Sequence, residues 1–442
     1  MSNFVNVSQS LGFRIAFSVY RDLVGNTSSV GYIMLGRNTP WAANDTVPEI
    51  YDTENAKFDA YNNFLGGKKI TGNDAFLVVP RVNWTPNVVW TQYDDASNTQ
   101  FSSGNSMFVY TSNGNVYKCL NNANGSYSTV EPVNNYSSDN GFIAPGDGYL
   151  WKYMYKVPSD SKYLTDSWMP APLSQTPAYF GDANNIVVGA ISRLEIANAG
   201  TGYSNTNTSI VISGSGISGN ASVVVSNGSI SSVTLTDRGA RYIRQNTQVR
   251  IIGSGTSANV RPILSPWGGH GFNPARELGA NTIMIAVKVG DVDSSENGNI
   301  SANNDFRQVG LVMRPHLYGA NTEVSSANAN VSVTMATHIV LVSGTAFIKD
   351  ELVYQGASSN SASFSGYVSD TFPSAIEVTG RQGTPAPGRP IIGVTSGISR
   401  TVVSYSDPDF DVESGNLVYI ENRAPVMRSL GQGEWIKIIL KF

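Results

Sequence analysis

The chain reads as mainly β: a multi-domain β-sandwich core with an inserted tandem β repeat and an inserted small SH3-like β-barrel. Three observations predict this. Glycine is abundant (43 of 442 residues) and Ser, Asn and Thr are frequent, while long helical periodicities are scarce. A block of residues returns thirty-nine positions later. The chain also closes on strict alternation, with Ile436, Ile438, Leu440 and Phe442 on one parity and Lys437 and Lys441 on the other. Such a period of two sets an apolar ridge on a core and ammonium groups in water.

From the amino end, Gly12–Leu23 fits either a strand or an amphipathic helix, and Tyr32–Arg37 reads as a strand running into Pro40 and Trp41. Asp52–Phe64 is the best helix, with Ala56, Ala60 and Phe64 on one face and Gly66-Gly67 as its stop. Phe76–Val79 is a strand, followed by Arg81 and Trp84. Met107–Thr111 and Asn115–Leu120 form a hairpin around Asn113-Gly114. Ala144–Tyr149, containing Gly146-Asp147-Gly148, is a tight turn feeding the strand Leu150–Val157. In that strand Trp151, Tyr153, Tyr155 and Val157 share one face, and Lys152 and Lys156 share the other with Leu150 and Met154.

Residues 191–264 hold the repeat. Ile191–Ile196 returns as Ile230–Leu235, Gly200 and Tyr203 as Gly239 and Tyr242, and Gly214–Gly216 as Gly253–Gly255. Each unit reads strand, G-x-x-Y turn, strand, glycine turn, strand, with the tyrosine packed across a turn and glycines at positive φ. Gly214–Gly219 matches G-x-G-x-x-G, but the β-rich Asn220–Val225 follows it. No helix N-terminus is offered to a pyrophosphate, so dinucleotide binding is rejected. Thr282–Val289 and Phe306–Val312 are further strands. Between about 331 and 404 lie His338–Val342, Glu351–Gln355, Phe364–Val368, Ala375–Val378 and Ile391–Val394, five short strands that suggest the small barrel. Leu417–Asn422 and Trp435–Phe442 close the chain around a turn-rich segment containing Ala424-Pro425.

Several of these stretches carry a resemblance. G-R-x-x-P-W at Gly36–Trp41, the string Gly146–Pro158 with Asp147, Tyr149 and Trp151, the F-R-Q start at Phe306-Arg307-Gln308, and Tyr419–Pro425 with Asn422 and Arg423 resemble, in shared order, the dimeric β-structured baseplate wedge subunit of T4-like contractile-tailed phages. The resemblance spreads over about 250–300 residues in the sequence, interrupted by two inserts. It implies a structural protein of the virion tail baseplate, made in the host cytoplasm, that forms a homodimer and bridges neighbouring wedge subunits or fibre-attachment proteins. It carries no catalytic, cofactor or metal residues with it. The structural candidates are Trp41, Asp147, Tyr149, Trp151, Arg307, Tyr419, Asn422 and Arg423. The domain reading is 1–190, 266–330 and 405–442 for the wedge core, with 191–265 and 331–404 inserted as autonomous modules that face outward.

Composition agrees with a structural role. Charged residues are 14% and the net charge is −4, so no basic field attracts nucleic acid. The single cysteine, Cys119, excludes a disulfide framework and reads as a small buried hydrophobe. No apolar stretch reaches the ~18–20 residues of a membrane span, and no secretory signal is seen. His270, His316 and His338 fall in different segments, with no zinc-type pair, no G-x-S-x-G elbow and no Walker lysine. Asp407, Asp409, Asp411 and Glu413 would share a face in an extended segment, and Asp291 and Asp293 begin a polar loop. Both read as solvated acidic rims, with Ca²⁺ the minority reading because Glu296 occupies the EF-hand glycine position. The rival class is a carbohydrate-binding adhesin or tail-fibre module, since Gly/Asn/Ser-rich β units with aromatics suit sugar stacking.

Overall fold

The computed structural model describes residues 9–25, 30–42, 44–97, 106–133, 142–173, 189–266, 268–290, 305–344, 346–428 and 432–442. It is 46% strand and 8% helix. Two compact units form: the described parts of Met1–Phe17, Phe76–Ile283 and Leu440–Phe442, and those of Ser18–Ala75 and Met284–Ile439.

In the first unit, Phe108–Tyr110, Asn115–Asn122, Tyr149–Lys156 and Phe142–Ile143 form an antiparallel sheet in that order. Gly114 adopts φ +81 in the expected Asn-Gly turn. Trp90, Tyr117, Cys119, Tyr149, Trp151 and Tyr153 pack into one core cluster, and burial pushes the Cys119 thiol pKa up. Lys152 is buried, as is Lys118 directly opposite it in the ladder. The reason is legible after the fact: both lysines interrupt runs that are apolar on both parities, the pattern of a strand covered on both faces.

The repeat folds as an interlocked pair with pseudo-two-fold symmetry. Ile191–Asn198 pairs with Asn259–Leu264, and their equivalents Ser229–Asp237 and Asn220–Ser226 pair with each other. Ser209–Ser213 pairs with Gln248–Ile252, and the symmetry point falls on Val211↔Arg250, which are equivalent positions. Each tyrosine crosses to the other copy: Tyr203 lies on Gly255, and Tyr242 on Gly216 and Gly219. A Cβ at either of the latter glycines would enter the Tyr242 ring, which accounts for the misleading glycine motif without any ligand.

The symmetry is broken at one face. Arg193 donates to the carbonyls of Tyr93 and Leu120 (2.8 Å each), Arg261 pairs with Asp94 (2.6 Å), and Arg244 pairs with Asp95 (3.0 Å). The equivalent residues of the other copy are Ser232, Ser222 and Asn205. The repeat is therefore fastened to its unit by the Ile191–Asn198/Asn259–Leu264 ribbon, while the matching ribbon is uncharged at those positions.

In the second unit a five-stranded sheet runs Ser332–Thr334, Phe64–Lys69, Gly31–Gly36, Phe306–Met313, Asn416–Val426. The helix Glu54–Asn63, capped by Thr53, buries Ala60 against it. That helix ends at Asn63 rather than at Gly66-Gly67, which lie inside the next strand. A side chain at Gly67 would collide with Met34 Sδ, so glycine there serves close strand packing and not a stop. The ambiguous amino-terminal stretch is the helix Gln9–Val24. Pro425 is also not in a turn: it sits within Asn416–Val426, the edge strand, where a missing N–H is tolerated.

The small barrel closes with six strands, in the order Thr337–Leu341, Ala375–Gly383, Ala362–Phe372, Leu352–Gly356, Pro390–Gly393, Ser399–Ser406. The sequence shows five because Ser399–Ser406 (SRTVVSYS) is largely polar and buries only Val402. Pairing of Ser399–Ser406 with Thr337–Leu341 closes the ring and removes free edges. The final strand, Glu434–Lys441, alternates as read, with Ile436 and Ile438 buried and Lys437 and Lys441 exposed.

Two predictions follow from this packing. Arg193→Met should destabilise the chain by about 1–3 kcal/mol, because two buried carbonyls lose a charged donor, whereas Ser232→Ala should change it by less than ~0.5 kcal/mol. Chemical denaturation of both variants reads this difference, and equal effects would contradict the one-sided anchoring. In the barrel, burial and the neighbouring Asp370 push the Glu377 pKa up to about 7. The folded state thus holds this proton more tightly than the unfolded chain, and the associated stability is lost as pH rises through about 7. Glu377→Gln should raise stability by about 1–3 kcal/mol at pH 8 and by almost nothing at about pH 4, below the unfolded pKa.

Candidate functional site

Three motifs far apart in sequence meet at one end of the five-stranded sheet. Arg307, buried on Phe306–Met313, is the hub. Its Nε donates to both Asp45 carboxylate oxygens (2.9 Å each), its Nη1 to the Asn38 carbonyl (2.6 Å), and its Nη2 pairs with Asp45 and Asp305 (2.8 Å each). Burial works against the Arg307 charge, but the hydrogen bonds it donates to Asp45 and Asp305 outweigh this and hold the pKa above its usual value. The same hydrogen bond from Arg307 holds Asp45 below the ordinary carboxylate range.

The loop that carries Asp45 is tied at two further points. Trp41 donates its indole N–H to the Arg423 carbonyl (3.1 Å), with the Arg37 guanidinium 4.1 Å above the Trp41 ring. Gln308 donates to Asn422 (2.9 Å), which in turn donates to the Pro48 carbonyl (3.2 Å). Tyr419 donates to Glu421 (2.9 Å) on the same edge strand. Of the eight candidates, Trp41, Arg307, Asn422 and Arg423 thus belong to one network, and Tyr419 lies beside it. Asp45 and Asn38 were not singled out from sequence, since nothing distinguishes them from other polar loop residues until Arg307 is placed.

Asp147, Tyr149 and Trp151 belong to the first unit. Asp147 accepts from the Ser128 hydroxyl (3.1 Å) and from the N–H groups of Thr129 (2.9 Å) and Tyr149 (3.2 Å), between Gly146 and Gly148 at positive φ. Tyr149 donates to the Ser126 carbonyl (2.6 Å) and stacks on Trp151, which is fully buried. Burial raises the Tyr149 phenol pKa. The arrangement fixes a turn.

Nearby is a buried polar cluster. Lys118 pairs with Glu277 at 2.8 Å with both side chains out of water, and the Lys118 ammonium lies 4.0 Å from the Tyr93 ring centre. Ser192 and His270 Nε2 are 2.9 Å apart, and His270 stands edge-on to Tyr93. Ser192, His270 and Glu277 have the residue types of a hydrolytic triad, but the geometry does not. His270 Nδ1 is 4.0 Å from Glu277, whose carboxylate is already taken by Lys118 and by the Gly271 and Asn273 N–H groups. All three residues are buried, and Glu277 acts as a staple for the 270–277 loop. Burial and the nearby lysines hold the His270 pKa well below its usual value, and burial, with Arg238 and Lys118, lowers that of Lys152 to about 8.

The acidic residues do not share a face. Asp407 pairs with Arg381 (2.7 Å), Asp409 accepts from Thr334 N (2.7 Å), Asp411 accepts from Gly319 N (2.8 Å), and the backbone turns at Glu413, φ +64. Among the described residues no group of three His, Cys, Asp or Glu side chains could hold a metal ion. Asp291 and Asp293 lie outside the described residues.

Comparison with known proteins gives a distant relative. The chain is 22% identical over 193 residues to baseplate wedge protein gp8 of Enterobacteria phage T4. The match takes in 35% of this chain and 58% of the relative, so the chain spans just over half of that protein's length. No family model matches the chain.

Both networks are testable. Arg307→Lys supplies one ammonium where a fork serves four acceptors, and should lower stability by about 1–3 kcal/mol and speed proteolytic cleavage within residues 38–50. Glu277→Gln strands a buried ammonium and should cost about 3–5 kcal/mol in a thermal or denaturant melt. The double change Lys118→Met with Glu277→Leu should recover much of that loss.

Proposed function

We propose that the chain is a structural subunit of the baseplate wedge of a contractile-tailed phage, acting as a homodimer that bridges neighbouring wedge proteins. The observation that carries this reading is the similarity to gp8, named a baseplate wedge protein, in a chain that is mainly β like the resembled subunit. The architecture supports it. The stretches Gly36–Trp41, Phe306–Gln308 and Tyr419–Arg423 are joined through hydrogen bonds that fasten a loop to a sheet edge, a use of polar groups suited to holding shape. In this reading the partners are a second copy and adjacent wedge subunits, and the place of action is the virion tail.

Within this scheme the repeat and the barrel are modules added to a wedge core, with the Asn220–Ser226/Ser229–Asp237 ribbon, which has Ser222 and Ser232 where its counterpart has arginines, available for peripheral contacts. Gold-labelled antibody raised against the purified protein should mark the tail's distal end in virions. Light scattering should return about twice the 47.3 kDa chain mass at micromolar concentration. Label at fibre tips, together with binding on a glycan array, would instead establish the adhesin reading.

A further inference from the structure

Beside the helix Glu54–Asn63 lies a cleft of about 470 Å³ lined by Glu54, Phe58, Tyr61, Glu413, Asn416 and Leu417, among others. Its chemistry is unbalanced. Phe58 is 57% exposed, an apolar ring left open on a polar helix face. Glu54 and Phe58 are four residues apart and so project from the same side of the helix. Lys57 also lines the cleft, but its ammonium is already shared by Asp52 and Glu54 at 3.2 Å each. Glu413, held at φ +64 by the turn across the cleft, has no hydrogen-bond or ion-pair partner among the described residues. An open aromatic ring, two carboxylates and an amide thus converge with a net negative charge.

The same unit shows what such a set of groups takes. Arg37 lies over the Trp41 ring at 4.1 Å while pairing with Asp59 at 3.2 Å. Arg381 lies over the Tyr318 ring at 4.9 Å while pairing with Asp407 at 2.7 Å. Arg37 stacks on an aromatic face and keeps its edge for a carboxylate, which a planar fork can do and an ammonium does poorly, while Arg381 in addition donates to the Tyr318 hydroxyl. The Phe58 cleft has the ring and the Glu413 carboxylate without a guanidinium.

We propose that this cleft is a guanidinium site that receives an arginine side chain from a neighbouring protein, stacked on Phe58 and paired with Glu413. Only the source of that arginine, an adjacent wedge subunit, rests on the function proposed above. The positive end of the helix opposes a cation at its first turn, and the Glu54 carboxylate in that turn offsets it.

The test uses the full chain and N-acetyl-arginine methylamide as probe, followed by saturation-transfer NMR. Saturable millimolar binding is expected, at least tenfold weaker for the citrulline analogue and severalfold weaker for the lysine analogue. Phe58→Ala and Glu413→Gln should each weaken it at least fivefold, with unchanged melting temperature because both side chains are exposed. Equal binding of citrulline or lysine, unchanged binding in both variants, or preference for a neutral disaccharide such as lactose would overturn the assignment. Because the isolated chain is used, a failure of baseplate labelling leaves this result standing, and a failure here leaves the baseplate reading untouched.

Discussion

A buried cation in a weakly charged β protein must be met by acceptors that the fold has already fixed, and this constraint organises both units. Charged residues are scarce in the sequence (14%), yet Lys118, Lys152 and Arg307 are all buried. Each sits on a strand, so its backbone position is set by a ladder and its partners must be brought to it. Glu277 reaches Lys118 from a short helix, and Asp45 reaches Arg307 from a loop at left-handed φ +52. The loops take their shape from the charges they have to satisfy. Desolvation makes an unmatched partner costly, so these contacts favour one arrangement over near alternatives.

The repeat shows how symmetry and function separate. Two copies that share strand order and glycine positions complete each other's sheets, since neither could bury its tyrosine alone. The copies differ where one meets the rest of its unit: arginines at 193, 244 and 261 against Ser232, Asn205 and Ser222. Charge at those positions serves docking, while Glu195 and the Pro262 carbonyl within the repeat share the same arginines. Arg193, Ser192 and Leu264 supply partners to Tyr93, Leu120 and His270, so the fastened ribbon is part of the unit's polar packing.

Much of the strand layout was legible because alternation survives wherever one face is wet. The final strand was readable in this way, the Asn113-Gly114 hairpin by its turn residues, and Thr282–Val289, buried on both faces, by its apolar run. The misreadings share a cause. Gly66-Gly67 was taken as a stop and Pro425 as a turn because local signals cannot report what packs on the far side of a strand. The sixth barrel strand was missed because its role is to supply backbone pairing, which a polar sequence does as well as an apolar one. The burial of Lys118 and Lys152 is likewise set by what covers the second face of their sheet.

By itself the sequence determined the class of fold, the duplication, the alternation of the closing strand and the absence of familiar catalytic motifs. These depend on periodicity and local backbone preference, which each segment carries with it. The tertiary structure alone decided that Arg37, Trp41, Asp45, Arg307, Asn422 and Arg423 form one network. It also decided that Ser192, His270 and Glu277 are packed rather than reactive, and that Phe58 and Glu413 share a cleft. Hydrogen bonds and ion pairs of this kind act over about 3–4 Å between residues hundreds of positions apart. No local pattern encodes them, because the chain path that brings the groups together is itself the product of the whole fold.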